Sequence, residues 1–102
     1  MPAASFLKDV YKIMRYRVKV TGMVQGVGFR YYVSQSAANL GLTGWVKNQW
    51  DASVSLEVQG SACKLEQFLK EVQYGNAFAQ VDALDCKKIA EQPGESCFEI
   101  IR

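Results

Sequence analysis

Extended and helical periodicity alternate along this chain in one order, and that order limits its possible folds more than any other feature. Residues 15–21, RYRVKVT, place Tyr16, Val18 and Val20 on one face and basic or polar residues on the other, the pattern of a half-buried strand. From Phe29 the period changes: Phe29, Tyr32, Val33, Ala37 and Leu40 recur at helical intervals, and Gly41 is a natural stop. TGWVKNQ at 43–49 and SVSLEVQ at 53–59 read as two strands joined by a hairpin through Trp50-Asp51-Ala52. Gly60 and Ser61 open a second helix with Leu65, Phe68, Leu69 and Val72 on one face. Glu66 and Lys70 pair on its wet side, and Gly75-Asn76 ends it. A fourth strand is expected at 81–88, VDALDCKK, and a short last one at 97–101, CFEII, after the turn Gln92-Pro93-Gly94.

Two right-handed crossovers joined by a hairpin predict a split βαβ arrangement. The expected architecture is an α+β sandwich, an antiparallel sheet of four to five strands with both helices on one face. A chain of 102 residues has room for one core, and 49% hydrophobic with 22% charged residues is a globular balance. The domain is expected over 15–102. Residues 1–14, MPAASFLKDVYKIM, form an N-terminal extension in which Phe6, Val10, Ile13 and Met14 have helical spacing; a short docking helix and disorder both fit.

The extension lacks a basic start and an uninterrupted apolar stretch, so no secretory signal is expected. No run is long enough to span a membrane, and no membrane partner is expected. Cys63, Cys86 and Cys97 are sparse and lack C-x-x-C spacing, which reads as intracellular thiols and a cytoplasmic location. If the two terminal strands pair, Cys86 and Cys97 approach each other. The net charge of +2, from 12 Lys+Arg against 10 Asp+Glu, is too small for a nucleic-acid footprint, so no nucleic-acid partner is expected. It suits a small anion if the charge is focused in one place.

The chain contains no histidine. This removes the commonest general base and the commonest metal ligand together, so no metal and no cofactor are expected. Any chemistry must run on positioning, charge and backbone donors.

VQGVGFR at 24–30 is where such donors concentrate. Gly26 and Gly28 let the backbone between strand and helix take dihedrals that turn amides inward, and Phe29 anchors the helix start. The first helical turn adds unpaired N–H groups and the positive end of a dipole. Arg30 in that turn is disfavoured by the dipole, a penalty that an incoming anion reverses. Its guanidinium offers two parallel donors to two phosphate oxygens. Read alone, the stretch fits a solvated turn slightly better than an anion cradle, and Asn48 fits a hairpin residue.

GMVQGVGFR at 22–30 and GLTGWVKN at 41–48 change that weighting. Together they resemble the paired signatures of the acylphosphatase family, a G-x-V-Q-G-V-x-F-R loop and a G-[aromatic]-V-x-N strand. The similarity runs in order through SVSLEVQG to the terminal FEI, over residues 15–102. The resemblance implies a ferredoxin-like fold and hydrolysis of a carboxyl–phosphate anhydride to carboxylate and inorganic phosphate. It implies that the backbone of Gln25, Gly26, Val27, Gly28, Phe29 and Arg30 cradles the phosphate, that Arg30 clamps its oxygens, and that Asn48 orients the attacking water. Asparagine suits that place, because its carbonyl accepts from water without adding a negative charge beside the phosphate.

Side-chain alternation along 43–49 sets Trp45 and Lys47 opposite Val46 and Asn48. Tyr31 and Tyr32 read as rim and helix packing. Two departures from the family's pattern stand out. Ala52 occupies a turn position where Asp-Gly is common, at about 1–2 kcal/mol if that residue is left-handed. Gly75-Asn76 lacks a proline-containing turn, with no evident catalytic consequence. A monomer is expected. The alternative from another class is a binding module, since this fold also serves as an anion- or RNA-binding domain and acylphosphatase-like domains occur inside larger carbamoyl-transferring maturation proteins. Against RNA, the sheet lacks a row of aromatics with basic neighbours; against a fused module, the chain ends promptly after its last strand.

Overall fold

Residues 10–102 are described by the structure, a computed structural model. The strands are β1 (Ile13–Met23), β2 (Thr43–Asn48), β3 (Val54–Ser61), β4 (Gln80–Ile89) and β5 (Phe98–Ile101). The helices are α1 (Phe29–Asn39), between β1 and β2, and α2 (Ala62–Tyr74), between β3 and β4. Every expected element is present, with ends shifted by one to two residues. Of the helically spaced residues of the extension, Ile13 and Met14 belong to β1, Val10 is helical, and Phe6 lies outside the described residues.

The sheet order is β4-β1-β3-β2-β5. β1 lies antiparallel between β3 and β4, with Val18 opposite Leu56 on one side and Cys86 on the other. β3 pairs antiparallel with β2, but β5 joins β2 in parallel, Val46 beside Ile100. The sheet is therefore mixed, a correction to the antiparallel expectation. The cause is topological: residues 90–97 carry the chain from one edge of the sheet to the other, and β5 then runs in the direction of β2. The same crossing means that the two terminal strands do not pair, the condition under which Cys86 and Cys97 would approach. Cys86 sits on the β4 edge and Cys97 leads into β5 on the opposite edge, and all three thiols are free.

One face of the sheet carries the core. Val18, Val20, Val46, Leu56 and Val58 meet Phe29, Val33 and Ala37 of α1 and Leu65, Phe68 and Val72 of α2, each 0–1% exposed. Alternation then puts Arg15, Arg17 and Lys19 on the face without helices. Arg15 is nevertheless only 3% exposed, because the crossing segment covers it. Its guanidinium donates to Glu57 at 3.0 Å, to Gln59 at 3.3 Å and to both carboxylate oxygens of Glu95 at 2.8 and 3.2 Å. Gln59 also accepts from the Gln92 amide at 2.7 Å. A buried fork thus fastens the connection that delivers β5 to its edge.

The β2–β3 hairpin is closed by Gln49 N–H donating to the Ser53 carbonyl at 2.9 Å and by the Asp51 carboxylate accepting from the Ser53 amide at 3.1 Å. Hydrogen bonds from Ser53, then from Lys19, hold the Asp51 carboxyl well below the usual carboxylate range. Ala52 has φ 71°, so the strain anticipated for this position is present.

Candidate active site

Strand β1 ends at Met23 and α1 starts at Phe29, so five residues must turn the chain from sheet to helix. Gly26 (φ 74°) and Gly28 (φ 76°) both adopt left-handed backbone, which glycine takes without steric cost. Gly28 is the N-cap of α1, makes no side-chain cap, and no acidic residue lies in the first turn. The first-turn amides therefore lack intrahelical acceptors and face outward with the positive end of the dipole. Among the described residues, no backbone acceptor takes up the amides of residues 26–28 either.

These donors open into a cavity of about 270 Å³ lined by Val24, Gly26, Gly28, Phe29, Arg30, Tyr31, Asn48, Ile100 and Arg102. Val24 and Phe29, each 1% exposed, form an apolar floor. No Asp or Glu lines the cavity, while Arg30 and Arg102 do. Arg30 is held from the far edge of the sheet, its Nη1 donating to the Ile101 carbonyl at 3.3 Å.

Asn48 closes the cavity from β2. It lies on the same face as Val46, as alternation requires, at the end of the strand that meets the start of α1. Its Oδ1 is buried and has no hydrogen-bond partner among the described residues. A buried carbonyl without a donor is costly, which sets Asn48 apart from the satisfied polar groups around it.

Five of the seven residues expected at the site meet at this cavity: Gly26, Gly28, Phe29, Arg30 and Asn48. Gln25 and Val27 do not line it. The Gln25 carboxamide instead donates to the carbonyls of Gln49 and Ser53 at 2.7 and 2.8 Å, tying the loop to the hairpin beyond Asn48. The Val27 side chain packs on the core, and its carbonyl accepts from Asn76 Nδ2 at 2.7 Å. Tyr31, 64% exposed, is at the rim as expected. Tyr32 packs on the core and donates its hydroxyl to the Glu71 carbonyl at 2.7 Å; burial pushes that phenol up.

Sequence reasoning missed Ile100 and Arg102, which reach the cavity only because β5 lies beside β2. The resemblance reaches Ile100 through the terminal FEI without assigning it a role, and no motif marks Arg102. Among the described residues, no group of three or more His, Cys, Asp or Glu side chains could hold a metal ion. No helix there is long and apolar enough to cross a membrane.

Fold and cavity together define an α+β sandwich with a glycine-turned strand–helix corner that opens on a cavity lined by two arginines. The acylphosphatase family model matches residues 16–100. The acylphosphatase of Clostridium acetobutylicum is 45% identical over 87 residues, which cover 85% of this chain and 96% of that relative. The crystal structure of acylphosphatase from Bacillus subtilis superposes with a TM-score of 0.84 at 36% identity, over 87% of this chain and 99% of that one. Full-length HypF, solved in a phosphate- and nucleotide-bound form, matches 89% of this chain with 12% of its own, at a TM-score of 0.81 and 27% identity.

The chain belongs to the acylphosphatase family, hydrolases of acyl phosphates, and has the ferredoxin-like fold of that family.

Proposed function

We propose that the backbone of Gln25 to Arg30 and the Arg30 guanidinium hold the phosphoryl group of the substrate, and that Asn48 orients the water that attacks it. The observation that carries this reading is the buried, unpartnered Oδ1 of Asn48, which shares one cavity with the loop donors and Arg30. An oxygen in that position accepts a hydrogen bond from water and turns a lone pair of the water toward phosphorus.

The reaction asks little else of the protein. Water forms the new P–O bond as the bond from phosphorus to the carboxylate oxygen breaks. The acyl phosphate dianion and water become a carboxylate and dihydrogen phosphate, so both hydrogens of water end on phosphoryl oxygens. The leaving carboxylate is the conjugate base of an acid with a pKa of about 4 and departs without a proton. Charge on the transferring oxygens is the main quantity to stabilise. Preorganised amides and a bidentate guanidinium do this in a site that no Asp or Glu side chain lines. The donor set is thus sufficient without a divalent ion, and the reaction is proposed to be metal-independent.

The remaining expectations, a cytoplasmic monomer with a small acyl phosphate as substrate and no nucleic-acid partner, are proposed alongside. Purified protein should hydrolyse benzoyl phosphate in the presence of a chelator, with inorganic phosphate as a competitive inhibitor. Phosphate binding without turnover would instead make the domain a phosphate-binding module.

A further inference from the structure

Resting on the acylphosphatase reading of the cavity, we propose that Asn76 is a positioning residue of the phosphate cradle: its carboxamide pins the Val27 carbonyl outward and so turns the Gly28 N–H into the cavity. Asn76 lies in the connection between α2 and β4, far from the loop in sequence, yet its Nδ2 donates to the Val27 carbonyl at 2.7 Å. Glycine in both flanking positions gives the loop freedom that a phosphate site has to remove. The peptide between Val27 and Gly28 reorients by rotation at the Val27 ψ and the Gly28 φ, and glycine resists that rotation least.

Planarity makes one hydrogen bond sufficient to select the orientation. In a trans peptide the C=O and the following N–H point in opposite directions, and no peptide of the described residues is cis. Asn76 takes the Val27 carbonyl on one side; on the other, Gly28 lines the cavity. The lever is stiff. Gly75 N–H donates to the Glu71 carbonyl at 3.0 Å, and Ala79 N–H to the Asn76 carbonyl at 3.2 Å, fixing the backbone on both sides of Asn76. The Glu71 carbonyl also accepts the Tyr32 hydroxyl, which locks the end of α2 to the start of α1.

The carboxamide has only one workable orientation, because its partner is an acceptor and Nδ2 must face it. Oδ1 is then buried without a partner among the described residues. An asparagine that served packing alone would have no reason to carry that cost. With the Gln25 carboxamide holding the other end against the hairpin, two side-chain amides outside the cavity set the backbone amides inside it.

The test compares wild type, Asn76→Ala and Asn76→Asp by titrating inorganic phosphate while following the Gly28 amide by 15N NMR, with phosphate inhibition of benzoyl phosphate hydrolysis in parallel. Both variants should weaken phosphate binding about tenfold, the loss of one ordinary hydrogen bond, and should reduce the phosphate-induced shift of the Gly28 amide. The carboxylate introduced by Asn76→Asp repels the Val27 carbonyl at pH 7. As pH falls through about 4, the ordinary aspartate pKa, the carboxyl gains an O–H donor, so its phosphate affinity relative to wild type at the same pH should recover progressively on acidification. Lowered thermal stability with wild-type phosphate affinity and an unchanged Gly28 shift would overturn the proposal. Should neither variant fold, wild type decides: its Asn76 side-chain amide resonances must move together with the Gly28 amide on phosphate addition, and stationary ones overturn the proposal. Wild type that neither binds phosphate nor hydrolyses benzoyl phosphate refutes the reading of the cavity itself. Wild type that does both, with indifferent variants, refutes Asn76 alone.

Discussion

Arg30 Nη1 donates to the carbonyl of Ile101 at 3.3 Å, so the last strand of the sheet, and not only the helix that carries the arginine, decides where its charge sits. One guanidinium nitrogen donates to the protein, and Arg30 also lines a cavity that no Asp or Glu side chain enters. Arg30→Lys keeps the charge but can satisfy only one of these demands. It should lower kcat/KM for benzoyl phosphate about 100-fold and weaken inhibition by phosphate. Wild-type kinetics in this variant would show that the clamp is assigned to the wrong residue.

Asn48→Ala removes the acceptor proposed for water but none of the phosphate donors. It should reduce kcat about 100-fold while leaving the inhibition constant of inorganic phosphate nearly unchanged. The opposite pattern, intact kcat with weakened phosphate binding, would make Asn48 a phosphate ligand.

Ala52 holds φ 71° in the hairpin just beyond Asn48. Left-handed alanine costs about 1–2 kcal/mol, and glycine in its place gives back part of the gain as chain entropy. Ala52→Gly should therefore stabilise the fold by about 1 kcal/mol, read from the denaturation midpoint in urea. Activity should not fall, because Gln25 fastens the hairpin independently through Gln49 and Ser53.

The Arg15–Glu95 pair predicts acid sensitivity. Burial by itself raises the Glu95 carboxyl, but hydrogen bonds from Arg15 and then Thr43, with the Arg15 charge, outweigh it and hold the carboxyl below its ordinary 4.5. The native pKa is depressed, so the stabilisation is present above pH 4.5 and is lost as pH falls through the native value. Arg15 stays charged throughout, its guanidinium pushed further up, chiefly by the Glu95 hydrogen bond. Glu95→Gln should cost about 1–2 kcal/mol at pH 7 and flatten the stability profile between pH 5 and pH 3, measured by denaturation at each pH. An unchanged profile would mean that the pair does not hold the crossing segment.

Local pattern accounts for most of what was readable beforehand. β1 and α1 follow from an alternation at 15–21 that becomes a helical repeat at 29–40, and each depends on neighbours within a few residues. The loop glycines were legible for a related reason, since left-handed turns favour glycine. Asn48 was not: its type and spacing fitted a hairpin residue, and only the resemblance carried by GMVQGVGFR and GLTGWVKN drew it to the site.

Arg15 shows the limit of that reading. Its place on the wet face of a strand is correct, yet it is buried, because residues 90–97 pass over it on their way to the far edge. The same crossing made β5 parallel, parted Cys86 from Cys97 and brought Ile100 and Arg102 to the cavity.

The order of the elements and the glycine corner were thus readable from periodicity and residue chemistry, which act over a few residues, while the asparagine that faces the corner was picked out by the family resemblance. Long-range packing alone decided which edge receives β5, what holds Arg30 and that Asn76 grips the Val27 carbonyl. Each of those contacts joins residues distant along the chain, and side-chain spacing in a strand or helix says nothing about what will be folded over it.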